Sequence, residues 1–248
     1  KPFLKLARKM DVEATVLGNF TASGKFHVLY GGKTVAYLDM NFLHEGVPQM
    51  RLKADWKQAK NKEPRLAPLQ DYGTELHKML GRLNICSKES VVRQYDHEVQ
   101  GGSVIKPLVG AQNDGPSDAA IVRPLLDSME GVVVAHGICP RYSDIDTYHM
   151  TACAIDEAIR NAVAVGADID HLAGLDNFCW CDPVKSKKTP DGEYKLAQLV
   201  RANMAIYDYT TAFGVPCISG KDSMKNDYQI GKTKISISLR KKYLILST

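Results

Sequence analysis

The run Val215-Pro216-Cys217-Ile218-Ser219-Gly220-Lys221-Asp222-Ser223-Met224 places an ammonium, a carboxylate and a hydroxyl in direct succession. Its short apolar, proline-bounded start reads as a buried strand that breaks at Ser219-Gly220. Groups of these types at a strand end can hold a phosphate and its Mg²⁺. Gly220 would let the backbone approach a bulky anion closely. The run is not a Walker A loop, because Val215 stands where that motif needs its earlier glycine. Taken alone, four residues such as Gly-Lys-Asp-Ser are more often a polar turn between strands.

Other hard oxygen donors lie upstream. Glu157 and Asn161, four residues apart in an alanine-rich helical pattern, share one helix face. A carboxylate and an amide oxygen so placed form half of a site for a hard cation. Asp118 sits where the loop Gly115-Pro116-Ser117 enters an apolar strand, and a half-buried carboxylate there needs a partner or a metal. Asp176 lies inside the apolar run Gly174 to Phe178. Taken alone, the helix pair is more often an ordinary polar stripe, and each aspartate reads as a turn former. Together they point to a magnesium–nucleotide site.

The elements that must position these groups follow from periodicity. Lys5 to Met10 reads as the end of a helix and Glu13 to Gly18 as a short strand. Two strands flank Gly31-Gly32 as a hairpin. Lys57 to Pro68 is a charged, proline-punctuated linker, and Asp71 to Leu83 carries Leu76, Met79, Leu80 and Leu83 at helical spacing. Ser87 and Ser90 are candidate caps for a short helix into Tyr95. Strands are expected at Asp118–Pro124, Gly131–Gly137, Leu172–Trp180 and Val215–Ser219. Long helices fall at Thr147–Gly166 and Glu193–Phe213, and a closing hairpin forms around Gly231-Lys232. This alternation gives an α/β or α+β sheet covered on one face.

Composition removes several classes. With 44% hydrophobic and 24% charged residues, the chain of 248 residues can bury one large or two modest cores. A net charge of +4, without clustered Lys/Arg and interleaved aromatics, argues against nucleic acid. No apolar run reaches a membrane-span length, and the first residues hold no signal-peptide core. None of the six cysteines forms a Cys-x-x-Cys pair, and Cys179-Trp180-Cys181 lacks a second pair to complete a metal site. Reduced thiols in a cytoplasm are the simplest expectation.

Several motifs carry a resemblance: Asp96 to Gly102, Gly115 to Pro124, Ala154 to Asp168, Leu175 to Trp180, and Ser219 to Met224. They are similar to phosphoribosylformylglycinamidine synthase (synthetase component), in the aminoimidazole-ribonucleotide synthetase-like superfamily, over nearly the whole chain up to Ser238. The resemblance implies an α+β or α/β ATP-binding domain, a mixed sheet with helices on one face, at residues 70–248. It implies that residues 1–56 are the end of the first repeat's second domain, joined by a linker at 57–69. The chain would then be a fragment from the middle of the enzyme, without the first repeat and its catalytic histidine, and inactive by itself. Beyond Ser238, Leu239-Arg240-Lys241-Lys242-Tyr243 departs from the family's apolar, proline-containing continuation.

The implied reaction converts formylglycinamide ribonucleotide, ATP and glutamine-derived ammonia to the amidine. The implied cofactors are Mg²⁺ and ATP or ADP. By resemblance, Asp118, Glu157, Asn161 and Asp222 match metal positions, and Asp176, Gly220, Lys221 and Ser223 match nucleotide or substrate positions. Lys221 stands where some smaller members carry a metal-binding Asn, so the site is either catalytic or an auxiliary nucleotide site. Asp118, Glu157, Asn161 and Asp222 are expected to surround one cleft at the carboxyl ends of the strands, with Asp176, Lys221 and Ser223 on its rim. Implied partners are the first-repeat domains, a glutamine amidotransferase domain or subunit, and a second copy in a homodimer, with no nucleic acid and no membrane. Two alternatives stand beside this reading: a non-catalytic module ordered by a bound nucleotide, and another ATP-using member such as a cycloligase or a selenophosphate-forming enzyme.

Overall fold

The computed structural model describes the backbone of residues 2–98, 100–230, 233–236 and 240–247, with side chains as far as residue 228. The chain divides into two compact units, Lys1–Arg51 and Leu52–Thr248.

The first unit contains α1 (Pro2–Lys9), a hairpin of β1 (Lys25–Tyr30) and β2 (Lys33–Asp39), and α2 (Met40–Glu45). Gly31 and Gly32 both adopt positive φ, 56° and 76°, which a two-residue turn of matching twist requires. Asp39 closes the hairpin and opens α2. Its carboxylate pairs with Lys25 Nζ at 2.7 Å and accepts the amide of Asn41 at 2.9 Å. The strand expected at Glu13–Gly18 does not form. Among the described residues no ladder partner lies beside it, and an unpaired strand leaves its hydrogen-bonding groups unmet.

The second unit opens with α3 (Tyr72–Leu80) and α4 (Glu89–Val92). Asp71 caps α3 by accepting the amide of Gly73, and Ser87 accepts the amide of Glu89 at the start of α4. There follow β3 (Ser103–Ile105), β4 (Leu108–Val109), β5 (Gly115–Pro116), β6 (Ala120–Val122) and β7 (Val132–Ile138). The remaining elements are α5 (Thr147–Ala164), β8 (Leu172–Cys179), α6 (Gly192–Phe213), β9 (Cys217–Ser223), β10 (Asp227–Ile230), β11 (Thr233–Ser236) and β12 (Arg240–Ser247). Six strands form a mixed sheet in the order β3-β6-β7-β12-β8-β9. Residues 240–247 thus enter the middle of the sheet, although their sequence departs from the family's continuation.

Direction follows from pairing. β12 runs antiparallel to both β7 and β8, and β8 runs parallel to β9. The carboxyl ends of β7, β8 and β9 therefore share one end of the sheet with the amino end of the antiparallel β6. Alternation puts Val133 and Ala135 of β7 and Leu172 of β8 on the face that α5 covers, packed with Ile155, Ala158, Ile159 and Ala162. Phe178 lies on the same face and packs with Trp180 against Leu199 and Ala202 of α6. Trp180 is fully buried, and its indole N–H reaches Lys195 O at 3.1 Å. Both long helices are therefore on one face, as the alternation of helix and strand implied.

α5 begins at Asp146, whose Oδ1 accepts the amides of Tyr148 and His149 at 2.7 and 3.2 Å. Burial pushes this carboxyl up, but the His149 amide and the Arg201 guanidinium outweigh it and hold it below its ordinary value. The helices end at Gly166 and Gly214, both at positive φ. Ala154, Ala158 and Ala162 are fully buried and bring α5 tightly onto β7. At Gly137 the approach is closest, because a Cβ there would overlap Ala154 O and stand 2.9 Å from Ala158 N.

One boundary differs from the sequence expectation. The strand does not break at Ser219-Gly220 but continues through Ser223, and it is an exposed edge rather than a buried strand. The parallel ladder offered by β8 supplies the hydrogen bonds that the residue types alone would not demand. Gly231 and Lys232, the expected turn between β10 and β11, lie outside the described residues, as do Ile237 and Ser238.

Candidate functional site

The sheet register sets the site. Across the functional end one row runs Gly137, Tyr243, Asp176, Gly220, and the next runs Ile138, Lys242, Asn177, Lys221. Asp118 precedes β6, the strand whose last pair on this side is Ala120 with Val134. Ser117 Oγ donates to Ala119 O at 2.8 Å and braces the turn that carries Asp118, which is exposed rather than half-buried as expected, because the bend before β6 turns it to solvent.

Beyond Val134, β7 has lost its β6 neighbour, and α5 supplies the replacement. Glu157 Oε2 accepts the Ile138 amide at 3.0 Å, and Asn161 Nδ2 donates to His136 O at 3.0 Å. The two polar side chains of one helix face thus complete an interrupted ladder. Asn161 spends its amide N–H₂ on the strand, which turns Oδ1 away as an acceptor. Glu157 retains Oε1. Glu157 and Asn161 are therefore gathered at the end of β7, with Asp118 in the turn that enters the neighbouring β6.

The second group lies on β8 and β9. Gly220 is paired with Asp176, and a Cβ at Gly220 would stand 2.6 Å from Asp176 Oδ1. The absent side chain leaves room for that carboxylate beside the neighbouring strand. Asp222 is paired with the buried Phe178 and so points to the helix-covered face. Lys221 and Ser223 point to the opposite face, where Lys221 Nζ donates to Ser223 Oγ. β9 is separated from β7 by β12 and β8, which is roughly 14 Å at the usual strand spacing. The single cleft expected from the sequence does not form: Glu157 and Asn161 lie together at the end of β7, Asp176, Gly220 and Asp222 share the helix-covered face of β8 and β9 at the same sheet end, and Lys221 and Ser223 lie on the opposite face because neighbours along a strand alternate. Among the described residues no three or more His, Cys, Asp or Glu are placed together to hold a metal ion.

Cys139 is the site residue that sequence reasoning missed. Its thiol donates to Glu157 Oε2 at 3.4 Å. Burial, reinforced by the Glu157 carboxylate, pushes its pKa up to about 12. Iodoacetamide at mildly alkaline pH is expected to modify the exposed Cys153 and Cys217 and to spare Cys139, as read by peptide mass mapping. Equal labelling of all three would contradict the burial. The unfolded thiol ionises near 9.0 and the folded one near 12. Stability from this group is therefore complete below the lower value and declines between the two, where only the unfolded state loses its proton.

With this geometry in place, comparison with known proteins is informative. Residues 116–239 match the family described as AIR synthase related protein, N-terminal domain. The phosphoribosylformylglycinamidine synthase subunit PurL of Thermoplasma acidophilum is 28% identical over 226 residues, covering 91% of this chain and 28% of that protein. The same subunit of Ignicoccus hospitalis is 34% identical over 227 residues, covering 90% of this chain and 29% of the relative. The chain thus spans under a third of the length of these relatives. Among solved structures, T. maritima PurL complexed with ADP aligns with a TM-score of 0.61 at 22% identity, over 99% of this chain and 35% of that one.

Proposed function

This chain belongs to the AIR synthase related protein family, and from that premise we propose that it supplies part of a magnesium–nucleotide site in a phosphoribosylformylglycinamidine synthase. The reaction is the ATP-dependent replacement of the amide oxygen of formylglycinamide ribonucleotide by glutamine-derived ammonia. The observation that carries the reading is the placing of hard oxygen donors, Glu157 and Asn161 at the end of β7 and Asp176 and Asp222 on the helix-covered face of β8 and β9, at one end of the sheet. Carboxylates of Asp118 and Glu157 and the outward Oδ1 of Asn161 are all-oxygen donors, a set that suits Mg²⁺ and not a thiophilic metal.

In this reading Asp118, Glu157, Asn161 and Asp222 would hold Mg²⁺, the first three from the β6 and β7 side and Asp222 from the β9 side. Mg²⁺ there offsets the charge that builds on a transferring phosphoryl group. The Gly220 backbone admits a phosphate closely, Lys221 and Ser223 donate to its oxygens, and Asp176 orients the nucleotide or substrate. The partners are the first-repeat domains, a glutamine amidotransferase and a second copy, in the cytoplasm. Lys221, placed where smaller members have a metal-binding Asn, favours a second reading in which the nucleotide is retained and orders the protein.

The test is thermal unfolding of the full chain with ADP. Mg²⁺ with ADP is expected to raise Tm, since a ligand that binds only the folded state stabilises it. ADP in EDTA is expected to leave Tm unchanged, and Asp118→Asn to remove most of the shift. An equal shift in EDTA, or in Asp118→Asn, would show that the metal group is misassigned.

A further inference from the structure

Trp56, which sequence reasoning left at the edge of the linker, makes a set of contacts that the nucleotide reading does not use. Its indole stacks on Tyr194 of α6, centroids 5.7 Å apart and planes 6° from parallel. The Arg201 guanidinium lies 4.2 Å from the indole centroid on the same helix. Arg201 Nη2 then donates to Asp146 Oδ2 at 2.6 Å. Asp146 is the cap of α5, its other oxygen accepting the amides of Tyr148 and His149 in the first turn. Tyr148, in that first turn, faces Arg201 at 5.8 Å and donates its hydroxyl to Asp208 Oδ2 at 2.7 Å. Beside Trp56, the Asp55 amide donates to Glu193 O at 3.1 Å.

We propose that residues 52–59 form a strap whose docking, through Trp56 and Arg201, fixes the first turn of α5. The chemistry is specific to an arginine between an aromatic face and a carboxylate. Arg201 Nε is buried without a hydrogen-bond partner among the described groups, so the ring stack and the single bond to Asp146 hold the guanidinium. Removing the indole opens the guanidinium to water, which screens its pairing with Asp146 and loosens the cap. α5 is a continuous helix from Thr147 to Ala164, so a tilt at its first turn is carried to Glu157 and Asn161 at the far end. Trp56 and Arg201 are positioning residues in this scheme and touch no ligand. The consequence for binding rests on the nucleotide reading, whereas the coupling of strap to cap does not.

Coupling between two places is reciprocal, and that separates it from a merely local contact. Amide hydrogen exchange is measured by NMR on the full chain as wild type, Trp56→Ala, Trp56→Phe and Asp146→Asn. Trp56→Ala is expected to speed exchange of the Tyr148 and His149 amides by about tenfold or more, with Trp56→Phe restoring most of the protection. Asp146→Asn retains a capping oxygen but loses the charge that holds Arg201. It is expected to speed exchange of the Asp55 amide on the strap. Unchanged Tyr148 and His149 amides in Trp56→Ala, or an unchanged Asp55 amide in Asp146→Asn, would overturn the proposal. If the exchange responds in both directions while Mg²⁺ with ADP fails to stabilise even the wild type, the strap stands and the nucleotide reading falls.

Discussion

Replacing Gly137 with alanine is expected to cost at least about 3 kcal/mol of stability, the upper part of the range for overpacked cores. The added methyl group would overlap the carbonyl oxygen of Ala154 and stand 2.9 Å from both Ala154 C and Ala158 N. All three atoms are backbone of α5, so no side chain can swing aside to make room. Either the strand or the helix must retreat, and the core of Ile155, Ala158 and Ile159 against Val133 and Ala135 opens with it. The site moves too, because Glu157 reaches Ile138, the next residue on the strand. Denaturant unfolding of the full chain measures the loss. Gly131→Ala is the control: its Cβ would meet Ile121 Cγ2 at 3.1 Å and Val122 O at 3.3 Å, contacts that a small shift relieves. A Gly137→Ala variant as stable as that control would mean that α5 does not sit as close as described.

The same glycine illustrates what was legible in the sequence. α5 and α6 were readable because alanine-rich, helix-periodic runs end at Gly166 and Gly214, where positive φ excludes most other residues. The β7 and β8 strands were readable from continuous apolar runs. Gly137 was visible as a glycine inside a strand, which often marks a close backbone approach, but its neighbour across the sheet face was not. β9 was misjudged in extent, since Ser-Gly-Lys-Asp-Ser has weak strand preference and becomes a strand only because β8 offers it a ladder. Glu13 to Gly18 failed for the converse reason, having strand-like residues and no ladder partner among the described residues. Helix spacing put Glu157 and Asn161 on one face, while their metal role came only from grouping with the other donors and from the family resemblance. That it completes the β7 ladder, and that Trp56 reaches the α5 cap through Arg201, depends on tertiary placement that no local pattern encodes.

Glu157 has two separable duties, and two substitutions should divide them. Glu157→Ala removes the carboxylate that accepts the Ile138 amide and the Cys139 thiol at the end of β7. Losing these partly exposed hydrogen bonds is expected to cost about 1 kcal/mol in denaturant unfolding, the net worth of an ordinary hydrogen bond. Glu157→Gln keeps an oxygen of the same reach, which can still accept the Ile138 amide, so its stability should stay close to that of wild type. What it loses is the charge. If Glu157 is a magnesium ligand, the Tm rise produced by Mg²⁺ with ADP should largely vanish in Glu157→Gln, despite the intact fold. Cys139 reports the change independently: the Glu157 carboxylate helps hold its thiol up, so neutralising residue 157 should lower that pKa and speed alkylation. A Glu157→Gln protein that keeps the full Tm rise while its Cys139 becomes more reactive would locate the carboxylate correctly beside the thiol and yet remove it from the metal site. A Glu157→Gln protein as unstable as Glu157→Ala would instead mean that the charge itself holds the end of β7, since a neutral amide oxygen in the same position would then fail to replace it.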